Sequence, residues 1–340
     1  MNKTSYIIIV FVLLLINVNA QQRMQYSTQV LQGFMQNPAL VGIEKYHDVR
    51  LIYNQQWTGF DGAPTAKGVG FSSQIGGDTN TINSFKTLPL RGRTNIETTP
   101  INKSKSKTKK INIGWGGTVF SEGDGTININ ECVGMGALHF VAKKTKISLG
   151  IGLGLAQHQF NPNNIKLQNS YDATFGKQQH NIFYPTFQLG TMVYNSEYFV
   201  GFNTKQLVKK NFTYDLLSPD KRSALIAHTT LTAGLRLKAG QGITVTPSAI
   251  FRNVKNAPST ADINIIADYK DLIKVGFLYR TNGDLAGILG IIVNHKYSVN
   301  YAYDVTSSKL RNLYSNTHNL VVAVRLAKKD SLSETPVYFW

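Results

Sequence analysis

Thr317-His318-Asn319 is the nearest approach in this 340-residue chain to a catalytic constellation. A hydroxyl, an imidazole and an amide are the groups that an acyl-transferring hydrolase brings together on one carbonyl carbon. Adjacent side chains of an extended strand point to opposite faces, so His318 and Asn319 cannot converge in a regular strand. The other familiar signatures are missing: no G-x-S-x-G elbow, no H-E-x-x-H, no P-loop and no C-x-x-C. The seven histidines, His47, His139, His158, His180, His228, His295 and His318, are scattered without metal-ligand spacing. Glycine runs such as Gly114, Gly116 and Gly117, or Gly150, Gly152 and Gly154, alternate within strand-like segments. They suit close packing or curvature of a wall, not phosphate binding. The sequence therefore predicts no catalytic residue, no metal and no cofactor, and the chain is read as not an enzyme.

If the chain does no chemistry, its elements must serve another purpose, and the N-terminus says where. Lys3 precedes an unbroken apolar run from Tyr6 to Ile16, and Asn17-Val18-Asn19-Ala20 offers a cleavage site after Ala20. The run is shorter than the roughly 20 residues of a spanning helix and has the layout of a signal peptide over 1–20; the alternative is a buried N-terminal strand or an anchor. No cysteine follows the cut, which excludes a lipoprotein, and Cys132 alone forms no internal disulfide. Nowhere after residue 20 is there an apolar run of helical spanning length, so any membrane crossing is made by strands.

The alternation of the sequence supports such a crossing. Leu149, Ile151, Leu153 and Leu155 alternate with Ser148, Gly150, Gly152 and Gly154. Val275, Phe277 and Tyr279 alternate with Lys274, Gly276, Leu278 and Arg280, and the same period recurs over 230–238, 298–305 and 319–326. An apolar face against a small or polar one over about 10 residues is the pattern of a membrane barrel strand. A soluble sandwich also alternates, with strands of about 5 to 6 residues and a charged outer face. The expected fold is an all-β transmembrane antiparallel β-barrel of about 14 strands with periplasmic termini. The strands fall near 46–56, 64–75, 109–120, 128–142, 145–158, 183–194, 197–205, 226–238, 242–252, 259–269, 272–280, 284–293, 296–305 and 317–327. Connections after even strands are short, and those at 159–182, 206–225 and 306–316, after odd strands, are longer.

In this division residues 21–45 form an N-terminal periplasmic segment, 46–327 the barrel and 328–340 a C-terminal tail ending in Trp340. The connection 76–108 breaks the pattern: it follows an even strand, is long, and sets Lys86, Arg91, Arg93, Lys103, Lys105 and Lys107 against Asp78 and Glu97. It reads as a solvated basic loop, a docking loop for an acidic partner, or a segment that holds a further strand pair. The net charge of +17 would suggest nucleic acid for a cytoplasmic protein. In an exported barrel it points to outer-membrane lipid headgroups or an acidic protein partner, and not to nucleic acid.

An ordered set of motifs adds a resemblance. Gln25-Tyr26-Ser27-Thr28-Gln29 precedes Asn37-Pro38-Ala39-Leu40-Val41-Gly42, then Arg50 and Gln56-Trp57-Thr58-Gly59-Phe60-Asp61-Gly62-Ala63-Pro64. Gly114-Trp115-Gly116-Gly117, Tyr184-Pro185 through Gly190, Tyr198-Phe199-Val200-Gly201, Tyr279-Arg280, Tyr301-Ala302-Tyr303-Asp304 and His318-Asn319 follow. Over nearly all of 22–327 this resembles the PorP/SprF family of type IX secretion system membrane proteins, the 76–108 insertion and the tail being departures. The resemblance implies a barrel that binds the C-terminal secretion domain of a surface protein such as a gliding adhesin, anchoring it or helping its export. A second branch implies a link to a periplasmic, peptidoglycan-associated lipoprotein and other type IX components. Outside the family, a diffusion porin or small-molecule transporter with a basic lumen is the competing class.

The expected partner-binding residues are Asn37, Pro38, Gln56, Trp57 and Pro64, which equally suit a purely structural first hairpin, together with the inward cations Arg236, Lys274, Arg280 and Arg325. Asn-Pro favours a turn, and Trp57 suits a membrane interface with one apolar and one wet end.

Overall fold

The computed structural model describes residues 24–44, 46–59, 62–75, 111–142, 144–161, 180–207, 211–212, 223–224, 226–255, 257–294, 296–306 and 316–326. The expected signal peptide, the basic segment 76–108, the tail 328–340 and most of the loops 159–182, 206–225 and 306–316 lie outside the described residues.

Period-two alternation builds one closed antiparallel barrel. Its strands are β1 (His47–Gln55), β2 (Thr65–Ile75), β3 (Ile111–Gly123), β4 (Ile127–Ala142), β5 (Thr145–Phe160), β6 (His180–Tyr194) and β7 (Tyr198–Lys205). They continue with β8 (His228–Leu235, resumed as Leu237–Gly240), β9 (Ile243–Val254), β10 (Thr260–Tyr269), β11 (Ile273–Arg280), β12 (Asp284–Val293), β13 (Tyr297–Thr306) and β14 (Thr317–Leu326). Arg236, whose N–H donates to Glu197 O at 2.6 Å, interrupts β8 without ending it. Each strand pairs with its neighbours in chain order, and β1 pairs with β14 as well as β2, closing a fourteen-stranded barrel as the alternation predicts. Closure leaves no lengthwise edge for backbone groups in lipid.

The outward face is apolar and the inward face small or polar. On β5, Leu149, Ile151, Leu153 and Leu155 are exposed to the surroundings while Ser148 and Gly150 are buried. On β11, Val275, Phe277 and Tyr279 face out while Lys274, Leu278 and Arg280 face in. The Thr317-His318-Asn319 triplet splits as strand geometry requires. His318 Nδ1 meets Tyr301 OH at 2.6 Å on the outer face, and Asn319 bonds Asn54 and Asp304 inside.

The strands are unequal. β10–β14 have 8 to 10 residues, close to the 9–11 or so that cross a bilayer at a tilt. β3–β6 run to 13–16. Their surplus lies at the rim that carries the connections after odd strands, here the loop rim. There the outward residues turn polar: Ser121, Asn128, Asn130, Gln157, Gln159 and Asn181, with Asn130 Nδ2 donating to Gln157 Oε1 at 3.3 Å. The opposite rim, the turn rim, is closed by the short connections around Lys144, Asn195, Gln241, Asp271 and Asn294.

One expectation is corrected. The sequence places residues 21–45 outside the barrel as a periplasmic segment; the described part, 24–44, is packed in the lumen. The reason is apolar burial. Short helical turns at Gln29–Gln32, Gly33–Met35 and Pro38–Leu40 present Val30, Leu31, Phe34, Met35, Ala39, Leu40 and Val41 to one cluster. Wall residues Ile52, Val133, Met135, Met192, Ile250 and Ile288 complete that cluster. Burying such side chains contributes about 1.5–3 kcal/mol each, which a segment left in water would forgo.

Candidate functional site

The lumen plug is seated on glycines at one side. Asn37 has its side-chain oxygen on Ala39 N–H at 2.9 Å, capping the Pro38–Leu40 turn, and its amide donates to Thr191 O at 3.3 Å. That turn lies flat against β5 and β6. A Cβ on Gly150 would overlap Pro38 and Ala39 backbone, and one on Gly190 would overlap Asn37 Oδ1. Likewise Gly114 faces the Val41 carbonyl, and Gly42 (φ +66°) faces Gly114. Gly114 of β3 and Gly150 of β5 thus serve close approach of the plug backbone, whereas a Cβ on Gly116, Gly152 or Gly154 would meet atoms of the neighbouring wall strands. Two polar contacts complete this side. Gly42 N–H donates to Ser72 Oγ at 2.7 Å, and His139 Nε2 donates to Val41 O at 2.8 Å. Since a carbonyl only accepts, His139 carries its proton on Nε2, leaving Nδ1 for the Ser148 hydroxyl at 2.5 Å.

The rest of the wall holds the plug through charged and polar side chains. Arg50 and Asp48 share the inner face of β1, two residues apart, and pair at 2.7 Å; Arg50 Nη1 also donates to Leu31 O at 2.6 Å and the guanidinium lies 5.4 Å from the Phe34 ring centre. Arg252 donates to Gln29 Oε1 at 2.8 and 2.6 Å. Ser27 Oγ donates to Asp304 Oδ2 at 2.5 Å, and Tyr26 OH to Glu122 Oε2 at 2.8 Å. Lys205 reaches Met35 O at 3.2 Å. Just ahead of β1, burial and then the Glu44 carboxylate push the Tyr46 phenol well above its ordinary range, against the opposing pull of Arg325. Tyr46 therefore stays neutral under the Arg325 guanidinium, 5.6 Å from its ring.

Above the plug, toward the loop rim, a cavity of about 710 Å³ remains, lined by Met24, Gln25, Trp57, Ile129, Arg280 and Asp304 among others. The raised inner face of β3–β5 forms one of its sides.

The predicted partner-binding residues fall into three places. Asn37 and Pro38 are in the plug, buried against the wall. Gln56, Trp57, Pro64 and Arg280 line the cavity, where Gln56 N–H closes the hairpin on Pro64 O at 2.9 Å. Arg236, Lys274 and Arg325 lie toward the turn rim. Lys274 pairs with Asp268 at 2.7 Å, Arg280 with Asp262 at 2.8 Å, and Arg325 with Asp271 at 3.3 Å, all carboxylates of this chain. Asp268 stands directly opposite Lys274 in the ladder, and Asp262 opposite Arg280, so the tight turn at 270–272 presets both pairs. Arg236 is half-buried. The residues missed as contacts, Tyr26, Ser27, Gln29, Arg50 and Asp304, were all present in the motifs; nothing in their local spacing says that they meet across the barrel. Among the described residues no cluster of three or more His, Cys, Asp or Glu is arranged to hold a metal ion.

Solved structures similar to the chain are outer-membrane barrels. The toluene transporter TbuX of Ralstonia pickettii aligns at TM-score 0.45 and 12% identity, covering 86% of this chain and 92% of that one. A FadL homologue of Pseudomonas aeruginosa aligns at 0.43 and 10%, covering 86% and 93%. The translocator domain of the autotransporter NalP from Neisseria meningitidis aligns at 0.42 and 9%, covering 83% and 88%. No curated protein sequence matches. The family model described as type IX secretion system membrane protein PorP/SprF matches residues 18–324. With a closed barrel that places it in the outer membrane, and a match over most of its length, the chain belongs to the PorP/SprF family of type IX secretion system membrane proteins.

Proposed function

We propose that this barrel is a non-catalytic platform that binds a secreted surface protein, such as a gliding adhesin, through its C-terminal secretion domain, and anchors it or helps its export. The observation that carries this reading is the plug. The middle of the lumen is taken up by the chain's own residues 24–44, held to strands on all sides. Such a lumen suits a fixed body on which a protein is held better than it suits a path for small solutes. The internal pairing of Lys274, Arg280 and Arg325 also weakens the basic, anion-drawing interior that a porin would use.

In this reading the loop rim faces outward, the termini lie in the periplasm, residues 1–20 are a signal peptide cut after Ala20, and the client meets the loops 159–182, 206–225 and 306–316. The periplasmic lipoprotein link draws on a separate observation. Lys144, Lys238 and Lys270 are exposed on the turn rim, where an acidic partner or anionic headgroups would meet them. Tagged barrel extracted in detergent from native cells and analysed by mass spectrometry is expected to carry a secreted protein. A barrel that purifies alone would sink the proposal.

A further inference from the structure

We propose that Lys270, on the tight turn between β10 and β11, is a binding point for the phosphate of a phospholipid in the membrane leaflet at the turn rim. The inference rests on one element of the reading above, the turn rim facing the periplasm, and names the ligand that this part of the rim holds.

Leu272 N–H donates to Tyr269 O at 2.9 Å, and the two central residues of this turn, Lys270 (φ +54°) and Asp271 (φ +55°), both sit in the left-handed region. Such positions favour asparagine, aspartate and glycine, so Lys270 is the unusual occupant. Strain kept in a turn points to function. The two carboxylates of the hairpin serve the lumen: Asp268 pairs with Lys274 at 2.7 Å, and Asp271 with Arg325 at 3.3 Å. Lys270 is the charge that the hairpin shows on its outer side, and contact fixes its position. Its N–H donates to Gly242 O at 2.7 Å. Its stem lies on Gly242, where a Cβ would meet Lys270 Cγ at 2.6 Å. The ammonium ends 5.2 Å from the centre of the Tyr269 ring.

The surface beside the ammonium is apolar and level. Ile243, Tyr269, Ile273 and Ile291 are partners in successive ladders, so they form one row across β9 to β12. All four are exposed on the outer face, with Leu272 beside them at the turn. In a barrel that crosses the outer membrane this row is the turn-rim margin of the lipid-facing belt, and a tyrosine there sits at headgroup level. A cation held over that tyrosine meets phosphate, to which an ammonium donates a short, charge-assisted hydrogen bond. The next hairpin on this rim repeats the arrangement: Lys296 Nζ is 5.0 Å from the ring centre of the exposed Tyr297. Outward tyrosines at the loop rim have other company. Tyr301 OH meets His318 Nδ1, and Asn316 donates to Tyr303 OH. The ligand is a lipid that places a phosphodiester above apolar chains. A platform holding a surface protein is pulled outward, and headgroups bound at the turn rim oppose that pull.

The test titrates purified barrel in detergent with dimyristoyl phosphatidylglycerol and counts bound lipid by native mass spectrometry. Lys270→Gln is expected to bind about fivefold more weakly than wild type, the effect of one lysine at a headgroup layer. The difference should shrink as salt rises. Lys270→Arg should bind as wild type does. So should Lys67→Gln, which removes an exposed outer-face lysine toward the loop rim. Equal binding by Lys270→Gln and wild type overturns this inference alone. A Lys270→Gln barrel that keeps its lipid but loses a co-purified periplasmic protein also overturns it, and assigns the lysine to that protein. Lipid A in a second arm tests the orientation: stronger, Lys270-dependent binding of lipid A overturns both the phospholipid assignment and the periplasm-facing turn rim. A measurement on wild type covers the case of a variant that fails to fold. Photoactivatable phosphatidylglycerol in liposomes is expected to label residues 240–243 and 269–273, and labels confined to other turns overturn the inference.

Discussion

The two sides of the barrel wall hold the same plug by different means. Along β3–β6 the plug backbone lies on glycines, and shape decides the fit: Gly114, Gly150 and Gly190 leave no room for a Cβ. Around β1, β9 and β13 the fit is made by side chains that cross a gap, with Arg50 on Leu31, Arg252 on Gln29 and Asp304 on Ser27. A shape-fitted seat tolerates no added atom, whereas a hydrogen-bonded one tolerates size and fails when a partner is lost. The difference also sets where motion is cheapest: side chains can let go one at a time, but backbone pressed on backbone cannot.

Breaking the polar side should have the largest effect. Arg50→Met leaves Asp48 buried without its cation and Leu31 O without its donor, and is expected to cost about 3–5 kcal/mol in denaturant unfolding of the detergent-solubilised barrel. On the shape-fitted side Gly150→Val forces the Pro38–Leu40 turn away from β5. The expected cost is about 3 kcal/mol, with residues 24–44 becoming open to added protease. Protease resistance equal to wild type would show that the seat is looser than the geometry indicates. A milder cut is Ser27→Ala, which removes one of the donors to Asp304 while Asn319 stays in place, and should cost about 1.5 kcal/mol in the same unfolding assay. The smallest change sharpens the comparison. A Cβ at Gly287 would meet no atom within 4 Å, so Gly287→Ala is expected to stay within about 0.5 kcal/mol of wild type. A large loss there would mean that wall glycines matter for curvature generally and not for seating the plug.

The barrel was legible in the sequence because its signal is local. Outward Leu149, Ile151, Leu153 and Leu155 declare a membrane strand within one segment, and the short turns at Asn195 and Lys270 fix register with their neighbours. Inward orientation of Lys274, Arg280 and Arg325 followed from the same period. Their partners were legible in principle, since Asp268 and Asp262 stand opposite Lys274 and Arg280 across one tight hairpin. The plug was not legible in this way. Its longest α-helical stretch, Gln29–Gln32, is four residues, too short for a periodic signal, and its contacts join residues as far apart as Ser27 and Asp304. The only hint was that two signals needed each other: the Asn37-Pro38 turn and the glycines at 114, 150 and 190 read as unrelated until the lumen brought them together. The interruption of β8 at Arg236 was equally hidden, as its alternation continues through the break.

Single-channel conductance of the purified wild-type barrel in planar bilayers tests the central claim most directly, because it asks whether residues 24–44 fill the lumen of the working protein. The plugged platform predicts no steady current at moderate voltage, with current appearing in Gly150→Val. A steady, anion-selective current through the wild-type barrel would contradict the account and favour a pore.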